Sequence, residues 1–207
     1  MTRINGLGPN GKPARLQPNF RLHGSMSQLS GARQRYVRPF LPQEMTQEQR
    51  GEYARSVTER FAQLVRQNRE YIGTNRGTQI DLFKQVLNSG NIRLLEHEGR
   101  LVGLIMFKVY ERGREAEMGV VKLVKAVVDR DLVTEPEFTA FIETFCSEAR
   151  DELGARMVVS QEKNGETMLT RAMKSAGFRE LDLTKETIEF RIFRNLDRFS
   201  LYQRDLA

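Results

Sequence analysis

AEMGVVKLVKAVVDRDLVTEPEFTAFIETFCSEARDELGARMVVSQEK, residues 116–163, reads as strand, helix and strand in succession. Ala116–Val128 is apolar on nearly both faces, the pattern of a central strand covered on both sides. Phe138, Phe141, Ile142, Phe145, Ala149 and Leu153 recur at helical spacing until Gly154 ends the run. Thr134 and Glu137 stand three apart in front of that run, the spacing of a capping box. Arg156–Ser160 is a short strand of the buried type.

Outward from this segment the pattern stays regular. Upstream, Ile92–Glu96 and Leu101–Tyr110 read as strands about the turn His97-Glu98-Gly99-Arg100, and Glu111-Arg112-Gly113-Arg114 turns into the central strand. Tyr53, Val57, Phe61, Leu64 and Val65 share one face of a helix opened by Thr46 and Gln49. Thr78 caps a shorter helix carrying Ile80, Phe83, Val86 and Leu87. Gln34–Phe40 reads as a strand closed by Pro39 and Pro42. Downstream, Thr167–Ala176 is helical up to Gly177, and Arg179–Leu183 with Thr187–Phe193 predicts a closing hairpin. The tail keeps Leu196, Phe199, Leu201 and Tyr202, a cluster that folds back on the body or plugs into a neighbour.

Charge is unevenly spread along the 207 residues. The net charge is +6, yet residues 1–43 hold seven Lys or Arg and no acid, leaving 26 basic against 27 acidic groups in the remainder. Five of the six prolines also precede Glu44. Such a stretch does not hold a long helix, because proline lacks an N–H and clashes with the preceding turn. The division expected is therefore a basic, extended arm over 1–33, a domain over 34–195 and a tail over 196–207. Arg3, Lys12, Arg15, Arg21, Arg33 and Arg35 are the residues expected to meet an acidic protein surface, or more weakly a nucleic acid.

Several classes are excluded. A single cysteine makes no internal disulfide, and with two histidines it builds no closed zinc site. No run approaches the roughly 18 apolar residues of a membrane span. The N-terminus has no apolar signal-peptide core, so a cytoplasmic or virion-associated protein, not a Sec-secreted one, is expected. Cys146 falls beside the helix stripe and reads as a core residue. Lys122 and Lys125, three apart on one strand, are expected on opposite faces.

The order β–α–α–β–β–β–α–β–α–β–β resembles the GCN5-related N-acetyltransferase (GNAT) family. Four segments carry the likeness: Tyr36-Val37-Arg38-Pro39; His97 to Gly103; Ala126-Val127-Val128-Asp129 with its helix; and Arg156–Lys163 followed by a helix and Ala176-Gly177-Phe178. The resemblance implies an α/β (α+β) fold with a mixed, mostly antiparallel central sheet flanked by helices. It implies an acyl-CoA site near Val128, Arg130 and Lys163, and a general base for which Glu117 is the candidate.

Two departures bear on function. Family members that use acyl-CoA carry a glycine-bearing loop after the fourth strand, where free N–H groups hold the diphosphate. Here residues 130–138 contain no glycine and include Asp131, Glu135 and Glu137. Like charges about 4 Å apart repel by roughly 1 kcal/mol in water and about fourfold more near a protein surface. The family tyrosine four residues before the Gly-Phe pair is replaced by Met173, which has no proton to give. The expectation is thus a GNAT-like structural or adaptor component, without a cofactor, docked in a larger assembly such as a phage virion through its arm. A divergent acetyl-CoA-dependent N-acetyltransferase is the alternative.

Overall fold

The computed structural model of the chain describes residues 34–37, 46–48, 51, 55, 59–64, 90–97, 100–182 and 199–206. Its strands are Gln34–Val37 (β1), Ile92–His97 (β2), Arg100–Val109 (β3), Val120–Val128 (β4), Met157–Lys163 (β5), Arg179–Glu180 (β6) and Phe199–Asp205 (β7). The labelled helices are Arg114–Glu117 (α1), Glu135–Asp151 (α2) and Met168–Ser175 (α3). The strands form one sheet in the order β1-β2-β3-β4-β5-β7-β6. Neighbours are antiparallel throughout, except β4 and β5, which run parallel. A parallel pair needs a crossover, and α2 lies between the two strands in sequence. The mixed, mostly antiparallel sheet with helices is the expected class. Among the described residues no helix is long and apolar enough to cross a membrane.

One face of the sheet packs against α2 and α3. Phe107, Leu123 and Val158 from the strands meet Phe141, Phe145 and Met173 from the helices. Each such side chain contributes about 1.5–3 kcal/mol when taken fully out of water. The helix stripe read from the sequence is the buried face of α2, including Cys146. On the opposite face Val120, Val159, Leu181 and Leu201 form a second cluster. Phe61 and Leu64, both helical, are buried as their spacing predicts. Tyr53, Val57, Val65, the helix expected near Ile80–Leu87 and the strand expected at Thr187–Phe193 lie outside the described residues.

Three features differ from the expectation. The long strand starts at Val120 instead of Ala116, and residues 114–117 coil into α1. Gly113 and Gly119 flank that turn with φ of 84° and 65°. At Gly119 a side chain would also meet the Arg156 backbone nitrogen at 3.0 Å. Its carbonyl accepts the Arg156 N–H at 2.8 Å, which ties the start of β4 to the start of β5. Second, the segment set apart from the domain as a tail folds back on the body, one of its two expected outcomes, and does so as a strand of the sheet, β7, next to β5. It pairs with β5 over seven residues, from Met157↔Asp205 to Lys163↔Phe199. Third, the β3–β4 register jumps from Met106↔Lys125 to Phe107↔Leu123, so Val124 is an extra residue in β4. That bulge turns Lys122 and Lys125 to the same face, where strict alternation would oppose them.

A buried polar cluster joins the first two strands to α2. Arg93 donates from Nε to both carboxylate oxygens of Glu148 at 2.8 Å, and from Nη2 to Oε1. The Tyr36 hydroxyl donates to Glu148 Oε2. Arg93 Nη1 donates to the Ile92 carbonyl at 2.7 Å, and the guanidinium lies 4.9 Å from the centre of the Phe107 ring. The Tyr36 ring meets Phe141 edge-on at 5.6 Å. All three polar residues are buried, so loss of one partner strands a charge away from water. Glu148→Ala is expected to lower unfolding free energy by about 3–5 kcal/mol. Tyr36→Phe keeps the ring contact and removes one hydrogen bond to a charge, a loss of about 2 kcal/mol. Urea denaturation checks both, and a smaller effect of Glu148→Ala than of Tyr36→Phe would contradict the role given to the carboxylate.

Candidate functional site

β4 and β5 pair over four residues only, from Val120↔Met157 to Leu123↔Ser160. Beyond that point β4 continues to Val128 against β3, and β5 continues to Lys163 against β7. The sheet is therefore open between the C-terminal halves of its two parallel strands, the end of such strands at which ligands bind in open α/β sheets. The bulge at Val124 immediately follows Leu123, the last residue of β4 paired with β5.

A polar group lines this opening. Ser160 Oγ donates to Glu162 Oε1 at 2.6 Å and lies 3.4 Å from the carbonyl of Leu123, its partner in the last residue pair of β4 and β5. Glu162 is buried. Burial pushes its carboxyl above the ordinary value; the Ser160 hydrogen bond and the charges of Lys125 and Lys122 oppose that shift without cancelling it. Lys122 moves the other way: burial and then Lys108 lower it, while Glu162 pulls it back. Tyr202 pairs with Ser160 from β7. Its hydroxyl donates to Glu180 Oε2 at 3.4 Å, and burial followed by Glu180 pushes its pKa up to about 12. A buried carboxyl with a raised pKa beside a cleft is the kind of group that takes and returns protons in catalysis.

The sequence-derived candidates separate cleanly. Val128 ends β4 and Lys163 ends β5, so both stand at the open end, and Arg130 follows in the turn after β4. Glu117, expected on the central strand as a base, instead lies in α1, exposed, at the opposite end of β4 from the opening. Arg3, Lys12, Arg15, Arg21 and Arg33 lie outside the described residues, while Arg35 belongs to β1, paired with Glu96. Met173 is buried in the core. Burial pushes the Cys146 thiol up to about 12, which leaves it unreactive. Among the described residues no cluster of His, Cys, Asp and Glu could hold a metal. Ser160, Glu162 and Tyr202 were missed; the available signal was Ser160 and Glu162 two apart, on one face of a strand that opens apolar with Met157-Val158-Val159.

The turn between β4 and α2 is closed on itself. The Asp131 N–H donates to Asp129 Oδ1 at 3.1 Å, and those of Leu132 and Val133 donate to the Asp129 carbonyl at 3.1 and 2.9 Å. The Thr134 N–H donates to Glu137 Oε2 at 2.7 Å within the capping box. Pro136, in the first turn of α2, has no N–H to offer. Glu135 is held by Arg171 Nε at 2.8 Å.

No protein-family model matches the sequence, and no curated protein matches it. Solved structures do match the architecture. N-acetylglutamate synthase from Neisseria gonorrhoeae, in complex with coenzyme A and N-acetyl-glutamate, aligns at TM-score 0.57 and 15% identity, over 86% of this chain and 36% of that one. The microcin C7 self-immunity acetyltransferase MccE, in complex with acetyl-CoA and AMP, aligns at 0.56 and 11% identity, over 85% and 94%. A putative GNAT acetyltransferase from Desulfovibrio desulfuricans aligns at 0.54 and 12% identity, over 84% and 99%. The fold is that of the GCN5-related N-acetyltransferases. The GNAT likeness is one of shape, and the chain spans about a third of the synthase's length.

The two parts of coenzyme A fit these residues differently. A narrow amide-bearing arm suits a gap between two strand edges, which pair with amides. Its diphosphate does not suit the turn, where the N–H groups of Asp131, Leu132, Val133 and Thr134 are engaged and the side chains include three carboxylates. The expectation of no cofactor at all goes further than the fold does, since two of the neighbours are named as complexes with coenzyme A or acetyl-CoA.

The raised carboxyl makes a pH prediction. Below the ordinary carboxylate value of 4.5, Glu162 is protonated in both the folded and unfolded chain. As pH rises above it the unfolded chain ionises first, so the stability due to this group falls until the folded carboxyl also ionises. Between pH 4.5 and neutrality, the stability of the Glu162→Gln variant is expected to gain on that of the parent chain. Denaturation midpoints over a pH series check this, and parallel profiles would contradict it.

Proposed function

We propose that this chain is an acyltransferase of the GNAT fold, with its site at the opening between β4 and β5. The observation that carries the reading is the end of pairing at Leu123↔Ser160, with buried Glu162 two residues beyond the parting point on β5. The names of the structural neighbours support it from outside. Glu162 is the residue given the chemistry. Its carboxyl holds a proton more firmly than an exposed one, which suits it to take the proton that an acceptor amine gives up. Ser160 is the positioning residue, holding the carboxyl by its hydroxyl.

The adaptor reading keeps one observation in its favour, the self-satisfied turn after β4. It also draws on the acid-free charge of residues 1–43, most of which lie outside the described residues. A virion-associated role remains a proposal attached to that second reading.

A calorimetric titration of the full chain with an acetyl thioester separates the two. Saturable micromolar binding is expected. Ser160→Phe, which fills the parting point, is expected to weaken it at least about tenfold, equivalent to roughly 1.4 kcal/mol. No heat from a folded chain with either acetyl-CoA or S-acetyl-pantetheine would overturn the acyltransferase reading. The adaptor reading would then predict a complex that is lost when residues 1–33 are removed.

A further inference from the structure

The turn from Arg130 to Phe138 stands where a helix N-terminus meets the open ends of parallel strands, a place that ordinarily receives phosphate through free backbone N–H groups. Three independent features oppose that use here. The N–H groups of Asp131, Leu132, Val133, Thr134 and Phe138 already donate within the turn, to Asp129, Glu137 and the Thr134 carbonyl. The same nine residues hold one cation, Arg130, against three carboxylates, and the neighbouring Arg171 is engaged by Glu135. No glycine is present, so nothing in the turn brings bare backbone to the surface for an anion to approach.

The opening between β4 and β5 has the contrary character. It is bounded by strand edges and by the Ser160–Glu162 pair, with Lys122 and Lys125 acting on the carboxylate. Such a gap accepts a thin, uncharged chain with amide groups. We infer that the donor used at this site is an acyl thioester of the pantetheine class whose binding does not involve a diphosphate. This rests on the acyltransferase reading and narrows it. A nucleotide attached to the same arm lies outside the turn and adds nothing to affinity.

The test compares S-acetyl-pantetheine with acetyl-CoA by calorimetry on the full chain at one pH and salt concentration. The two dissociation constants are expected to agree within about threefold, less than the tenfold that a 1.4 kcal/mol contact would give. Acetyl-CoA binding more than about tenfold tighter would overturn the inference and leave the acyltransferase reading standing. Heat from neither ligand would instead overturn the reading beneath it. A chain carrying Glu135→Gly and Pro136→Gly gains an N–H at position 136 and loses a carboxylate from the turn. It is expected to gain about fivefold in affinity for acetyl-CoA and none for S-acetyl-pantetheine. An equal gain for both ligands would contradict the inference.

Discussion

β4 and β5 run side by side in parallel for four residue pairs and then part. Much else in the molecule answers to that constraint. A parallel pair demands a crossover, and α2 supplies it with a face of phenylalanines packed on the sheet. Gly119 brings the starts of the two strands together by accepting the Arg156 N–H, and its left-handed conformation leaves no room for a side chain. Beyond Leu123 each strand keeps its outer partner, so the backbone on those sides stays paired while the middle opens. The opening is thus held by the sheet itself instead of by a loop.

Two buried carboxylates divide the work. Glu148 is fully matched: Arg93 and Tyr36 both donate to it, and it fastens β1 and β2 to α2. Glu162 is matched only in part, by one serine and by lysine charges that do not offset its burial. The first arrangement fits a structural fastening. The second leaves a group whose proton affinity is altered at the place where the sheet parts.

The parts legible in the sequence were those set by local spacing. The stripe of α2, its capping pair Thr134 and Glu137, and the β2–β3 turn each lie within a few residues of chain. The parts that were missed depend on partners far away. Arg93 and Glu148 are 55 residues apart, and neither carries a local sign of the other. β7 begins with Phe199, and its place beside β5 is decided by pairing with residues some 40 positions earlier. The Val124 bulge leaves no mark on a run of valines and lysines, yet it decides which face Lys125 occupies. Glu117 looked like a strand residue because α1 is a single turn set by two flanking glycines. The departure of residues 130–138 from a glycine-bearing loop was legible in full, because composition alone carries it. What the structure adds is that four of the turn's donors, the N–H groups of residues 131 to 134, are engaged by Asp129 and Glu137.

The most direct single measurement is a saturation-transfer NMR map of acetyl-CoA on the full chain. Saturation concentrated on the acetyl and pantetheine protons, with the adenosine protons and both diphosphate phosphorus signals unchanged, is the result that follows from an open strand pair above a closed turn. Saturation as strong on the adenosine as on the arm, with shifted diphosphate signals, would contradict it, and so would saturation nowhere on the ligand.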